Sequence, residues 1–237
     1  MMNHRDTFTL SAEHFDRHGN LLPDHVLYLA QKVADAHAYE LGVGFENMVQ
    51  KKLLWVITQV RYQVCHPLHP GESILVETWP LPPTKLGFER NFSFYNQDGT
   101  ICIKGLATWV IIDTEARRLV MPRDLYLGDD YRMERNFSDR AKRLRDFEAD
   151  SERHCLCPDE STIDYNGHVN NVYYAKFILD MLGDFDGLID TFQIDYIHEV
   201  MCGQLLTLLH KKQEHTILVK GLLDENTKSF TATIMLK

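Results

Sequence analysis

One short segment occurs twice in this chain, and that duplication limits the possible folds more than any other feature. Phe15-Asp16-Arg17-His18-Gly19-Asn20-Leu21 and Ile163-Asp164-Tyr165-Asn166-Gly167-His168-Val169 both begin with an apolar residue followed by Asp. Both place a Gly three residues after that Asp. A helical stretch follows each copy. The first runs from Leu22 to about Leu41, with Val26, Leu29, Ala30, Val33, Ala34 and Leu41 at helical spacings. The second runs from Val169 to about Leu182, with Val172, Tyr173, Phe177, Leu179, Met181 and Leu182. Few of these positions are charged, so both helices are expected to be buried on most sides.

After each helix the pattern turns to strands. In the first half these are Leu53 to Val64, Ile74–Trp79, Phe88–Tyr95 and Ile101–Ile112, with Gln97-Asp98-Gly99 as a hairpin signal. In the second half they are Phe192–Val200, Leu205–Leu209, Thr216–Leu222 and Phe230–Leu236, with a turn at Asp224-Glu-Asn226. Gly71 and Gly203 hold matching places. An antiparallel sheet wrapped round one central helix is the economical way to bury such a helix. The expectation is therefore an α+β chain of two tandem units, 1–128 and 151–237, joined by a basic surface linker, 129–150, that is partly helical. The repeat is degenerate where chemistry would sit. The second copy has Asp164, Asn166 and His168, the first Asp16, His18 and Asn20, and no glutamate stands near Pro67 to match Glu199.

Composition excludes several classes. Hydrophobic residues at 44% and charged ones at 25% rule out intrinsic disorder and a small disulfide scaffold. A formal charge of −9 argues against nucleic-acid binding. No stretch nears the ~18 apolar residues of a membrane span. The five scattered cysteines and an N-terminus without a signal or transit pattern suggest reduced thiols and a cytoplasmic setting. Cys155-Leu-Cys157 lacks a second ligand pair. There is no G-x-S-x-G elbow, nucleotide loop or H-E-x-x-H, so neither metal nor cofactor is expected.

Ile163-Asp-Tyr-Asn-Gly-His-Val-Asn-Asn-Val-Tyr-Tyr174 resembles the D-x-N-x-H-V-N-N-x-x-Y motif of acyl-ACP thioesterases, the plant plastid enzymes and their bacterial relatives. Leu53-Leu-Trp-Val-Ile-Thr58, Thr108-Trp-Val-Ile-Ile-Asp113 with Arg117-Arg-Leu119, and Tyr196-Ile-His-Glu199 resemble further segments of that family, in order. The resemblance implies a double hotdog fold and hydrolysis of the thioester joining a fatty acyl chain to acyl carrier protein. It also implies an active site of Asp164, Asn166, His168 and Glu199. The Cys that directly follows the family's Glu is Val200 here, and Cys202 does not match that position, which argues against a covalent cysteine mechanism.

These residue types suit the reaction. Unpaired N–H groups at a helix start, approached by the backbone at Gly167, are expected to stabilise an oxyanion. Asn166 offers both an acceptor and a donor. Glu199, expected on a separate strand, either polarises water or orients His168, and the sequence leaves open which of the two is the base. Asp164 as a plain N-cap, Asn166-Gly167 as a plain hairpin turn, and Asn170 and Asn171 as packing groups are the structural alternatives. Val26, Leu29, Val33, Trp55 and Ile57 are the expected acyl-chain lining, with plain core as their other role. Carrier protein is acidic, so docking needs a local positive patch, for which Arg132, Arg135, Arg140, Lys142, Arg143 and Arg145 in the linker are candidates. The rival functions are an acyl-CoA thioesterase of the same fold, a non-catalytic acyl-binding module and a hotdog dehydratase. Both monomer and homodimer are compatible with the sequence.

Overall fold

The computed structural model of the chain describes residues 3–85, 87–122, 131–139, 142–150, 152–183 and 185–237. The expected boundary at 128–129, and Arg140, lie outside them. The strands are β1 (His4–Thr9), β2 (Leu53–Val64), β3 (Ser73–Pro80), β4 (Phe88–Tyr95), β5 (Ile101–Asp113), β6 (Arg118–Val120), β7 (Arg153–Leu156), β8 (Ile189–Tyr196), β9 (Leu206–Gln213), β10 (Thr216–Leu222) and β11 (Lys228–Leu236). The helices are α1 (Pro23–Glu40), α2 (Phe45–Gln50) and α3 (Asn171–Leu182).

The strands form one antiparallel sheet in the order β1-β3-β4-β5-β2-β8-β11-β10-β9-β7, with β6 paired to β5. This order is a palindrome about the β2–β8 seam. β2 corresponds to β8, β5 to β11, β4 to β10, β3 to β9 and β1 to β7, so the duplicated sequence has become a pseudo-twofold structure. Gln59 to Gln63 pair with Asp195 to Thr191 across the seam. The two hotdog units thereby share one sheet and remove an edge from each other.

Strand periodicity divides the sheet into two faces. Val60, Tyr62, Phe92, Phe94, Phe192, Ile194, Ile217 and Val219 point to the face on which α1 and α3 lie side by side, and all belong to one buried core. Their neighbours Arg61, Asn91, Ser93, Gln193, Asp195 and Lys220 point the other way, and the segment between the repeats runs across them. The Glu134 carbonyl accepts from Trp79 Nε1 (2.9 Å) and Asn91 Nδ2 (3.0 Å). Asn136 Nδ2 donates to the carbonyls of Phe92 and Gly105. Arg61 pairs with Asp139, Gln193 Nε2 donates to the Lys142 carbonyl, Asp195 accepts from Leu144 N–H, and Lys220 pairs with Asp146.

This corrects the expected partly helical linker. Among the described residues of 131–150 there is no helix. The reason is that its carbonyls and side chains satisfy buried polar groups of the sheet, such as Asn91 and Ser93, which a helix could not reach. A second difference affects the site. The strand expected to reach Val200 ends at Tyr196, because the N–H groups of Ile197 and His198 both turn to the Ser229 carbonyl.

Candidate functional site

The duplicated segment folds the same way twice. In the first copy Asp16 Oδ1 accepts from the N–H groups of His18 and Asn20, both at 2.9 Å. In the second Asp164 Oδ1 accepts from those of Asn166 (2.8 Å) and His168 (3.3 Å). Antiparallel bridges close both turns, Phe15 to Leu21 and Ile163 to Val169. Gly19 and Gly167 sit at φ +85° and +83°, where a side chain would be strained. Asp164 is thus the closing acceptor of a tight turn and not the N-cap of α3. That cap is Asn170, whose side chain accepts from Val172 N–H.

The expected oxyanion donors change accordingly. The N–H groups of Asn166 and His168 go to Asp164 Oδ1 and that of Gly167 to the Asp164 carbonyl, so the turn uses its own donors. Among the described residues, donors that remain beside the turn include the Asn166 side-chain amide, of which one hydrogen bond reaches Asp164 Oδ2 (3.3 Å), and the N–H of Asn171 at the start of α3.

The two copies part company at one equivalent position. Asn20 is buried and locked, with Nδ2 donating to Asp16 Oδ2 (2.8 Å) and the Gly187 carbonyl (3.0 Å) while Oδ1 accepts from Ile189 N–H (2.7 Å). It fastens the first repeat to the second. Its counterpart His168 points its Nε2 at Glu199 Oε1, 3.9 Å away. Glu199 stands on the loop after β8 rather than on a strand, and its side chain is 70% exposed. Backbone pairing sets this approach. Val169 N–H bonds to the Val200 carbonyl, and His168 bridges to Met201. Tyr174, the last residue of the motif that carries the family resemblance, anchors the same loop by accepting from Val200 N–H (3.2 Å). Burial pushes its phenol up to about 12, so it stays a neutral hydroxyl.

A cavity of about 410 Å³ opens beside this turn, within the usual range for small-molecule sites. The second repeat supplies Asp164, Tyr165, Asn166, Asn170 and Asn171 to its wall; His168 and Glu199 lie outside that wall. Apart from Tyr131 in the linker, the first repeat supplies the rest, including Ala34, Ala38, Leu41, Phe45, Leu54, Trp55, Leu81, Phe88 and Trp109. Of the expected lining only Trp55 is present. Val26, Leu29, Val33 and Ile57 belong to the packed core, which corrects that expectation. The cause is that α1 has two faces. Val26, Leu29, Ala30 and Val33 pack on the sheet, whereas Gln31, Ala34, Asp35 and Ala38, also at i, i+3, i+4 and i+7, face the lumen. The small side chains of Ala34 and Ala38 leave the space. The ring of Tyr165 meets that of Phe45 at 4.0 Å and joins the two repeats at the cavity.

In the linker, Arg132 pairs with the buried Glu77 (3.1 Å) and with Glu134, and Arg135 pairs with Glu89. Lys142, Arg143 and Arg145 are exposed and form no ion pair within 4.0 Å among the described residues. No group of His, Cys, Asp and Glu among the described residues is arranged to hold a metal, and no helix among them is long and apolar enough to cross a membrane.

Comparison with known proteins follows the geometry. The model of the acyl-ACP thioesterase N-terminal domain matches residues 2–127, and that of the acyl-ACP thioesterase C-terminal domain matches residues 147–234. A chloroplastic palmitoyl-acyl carrier protein thioesterase of Gossypium hirsutum is 31% identical over 160 residues, covering 59% of this chain and 37% of its own. A chloroplastic dodecanoyl-[acyl-carrier-protein] hydrolase of Cinnamomum camphora is 26% identical over 196 residues, covering 76% and 51%. The chain thus spans between about a third and a half of the length of such curated relatives. Among solved structures, an acyl-ACP thioesterase from Bacteroides thetaiotaomicron superposes with a TM-score of 0.85 at 21% identity, covering 100% of this chain and 98% of that one. The 12:0-ACP thioesterase from Umbellularia californica gives 0.84 at 19%, with the same coverage. At these identities the likeness establishes the double hotdog fold.

Proposed function

The chain belongs to the acyl-ACP thioesterase family, and on that premise we propose that it hydrolyses the thioester of a fatty acyl chain carried on acyl carrier protein. The observation that carries this reading is the approach of His168 Nε2 to Glu199 Oε1, at 3.9 Å, next to a turn whose Asn166 forms part of a largely apolar cavity wall. The acyl chain occupies the cavity, and burial of each methylene contributes about 0.8 kcal/mol. The thioester carbonyl lies at the Asn166 amide and the Asn171 N–H, which stabilise the oxyanion.

A water between His168 and Glu199 attacks the carbonyl. His168 takes its proton, since an imidazole is better matched to proton transfer near neutral pH than a solvated carboxylate. Glu199 stabilises the resulting imidazolium. Collapse of the tetrahedral intermediate breaks the C–S bond, and His168 returns the proton to the leaving thiolate. Asp164 is a positioning residue that holds Asn166 through both backbone and side chain. Lys142, Arg143 and Arg145 are the part of the basic linker available to an acidic carrier.

The test is to incubate the purified protein with acyl-ACPs and acyl-CoAs of matched chains and to quantify thiol and acid released. Hydrolysis favouring the ACP series supports the reading. Faster turnover of the CoA series transfers the activity to acyl-CoA. Stoichiometric binding without release makes the protein an acyl-binding module.

A further inference from the structure

Among the charged residues of the cavity wall that the reaction above does not use are two of opposite sign. Asp35 on α1 and Arg90 on β4 both face the lumen. Asp35 is exposed and Arg90 half-buried, and both border the cavity. Burial pushes the Asp35 carboxyl up, offset in part by a hydrogen bond from Gln31 and then by the charge of Arg90, and it draws the Arg90 guanidinium down to about 10, offset in part by the charge of Asp35. Yet the two make no ion pair within 4.0 Å among the described residues.

Arg90 Nη1 donates to Thr78 Oγ1 (3.3 Å) and lies 3.0 Å from His37 Nδ1. Its Nε and Nη2 donors have no partner among the described residues. A guanidinium offers five donors, and those of Arg90 without a partner are open to a ligand in the lumen that Arg90 lines. One oxygen hydrogen-bonded to both charges would hold their polar atoms between about 4 and 5.6 Å apart, a gap compatible with the lack of direct pairing.

We propose that the cavity takes an acyl chain bearing a hydroxyl group near its thioester end, which accepts from Arg90 and donates to Asp35. This rests on the thioesterase reading above and specifies its substrate class. A hydroxyl suits both charges at once, whereas an oxo group satisfies only Arg90 and a methylene neither. The placement near the thioester follows from the cavity itself, since Asp35 and Arg90 line the same lumen as Tyr165, Asn166 and Asn171.

The experiment compares kcat/KM for 3-hydroxydodecanoyl-ACP, 3-oxododecanoyl-ACP and dodecanoyl-ACP in the wild type, Arg90→Met and Asp35→Asn. A hydrogen bond to a charged group is worth about tenfold or more, so the 3-hydroxy substrate is expected to lead the saturated one by about that factor. The lead should fall toward one in both variants. The Asp35→Asn exchange conserves shape at a helix position facing open space, so it tests the idea even if Arg90→Met fails to fold. Equal or faster hydrolysis of dodecanoyl-ACP, a lead unchanged in both variants, or a preference for the 3-oxo chain each overturns the proposal while leaving the thioesterase reading intact. If no thioester is cleaved, that reading fails, and thermal shift with the free acids still decides the subsite. Greater stabilisation by 3-hydroxydodecanoate than by dodecanoate upholds it, and equal stabilisation removes it.

Discussion

Replacing Asn20 and His168, which occupy the same position of the repeat, by Ala should have opposite consequences. Asn20→Ala removes three hydrogen bonds and leaves the N–H of the buried Ile189 and the carbonyl of Gly187 without their partner. An orphaned buried polar group costs about 1–3 kcal/mol. Ile189 pays that in full, and Gly187, being partly solvated, pays less, so the expected loss is about 2–4 kcal/mol. With a urea m-value of about 2 kcal/mol/M, the unfolding midpoint falls by about 1–2 M. His168→Ala removes a ring whose one ion pair among the described residues is with the 70%-exposed Glu199 at 3.9 Å. Such a contact contributes little to stability, and the expected change is within about 1 kcal/mol. Urea titrations followed by tryptophan fluorescence measure both. Equal midpoint shifts in the two variants would refute the assignment of one copy to fastening and the other to chemistry.

Three further outcomes are expected. Ala38→Leu fills lumen next to α1 and should lower kcat/KM for long acyl chains by about 10- to 50-fold more than for short ones, at ~0.8 kcal/mol per displaced methylene; parallel losses across chain lengths contradict the cavity assignment. His25, stacked on His14 at 3.5 Å, has its pKa lowered from 6.5 to about 4, by burial first and then by His14. The unfolded chain therefore binds a proton there before the folded one does, so stability falls as pH drops from 6.5 toward 4. His25→Gln should flatten the fall in Tm between pH 6.5 and 4.5, and an unchanged fall is evidence against this. Reversing the charges of Lys142, Arg143 and Arg145 should lower kcat/KM for acyl-ACP about tenfold and spare a small acyl thioester, whereas equal losses on both remove the docking role.

The repeat was legible because burial follows periodicity. Strands Leu53–Val64, Phe88–Tyr95 and Thr216–Leu222 have the bounds that the β-rich runs suggested, and α1 and α3 agree within two residues. What periodicity does not contain is the identity of the neighbour. Val33 and Ala34 are both buried, but one meets the sheet and the other an opening, and only the packing of α2, β2, β4 and β5 around Ala34 and Ala38 makes the cavity. Asp35 and Arg90 escaped notice for the same reason, since a charge on a helix or strand ordinarily signals solvent. The linker's extended course was hidden because its hydrogen-bond partners, from Trp79 to Lys220, come from strands on both sides of it in sequence. The repeated turn was readable through local spacing and the roles of its residues only through the family resemblance, whereas the position of Glu199 depends on the Ser229 carbonyl ending β8 early.

The central claim is that water is activated between His168 and Glu199. Its most direct test is the single-turnover rate of acid release from one acyl-ACP by the wild type, His168→Ala and Glu199→Gln, with folding of each checked by urea titration. The account predicts a loss of about 10²–10⁴ in His168→Ala, a substantial loss in Glu199→Gln, and unchanged folding in both. Two folded variants that release acid at the wild-type rate would place the chemistry elsewhere.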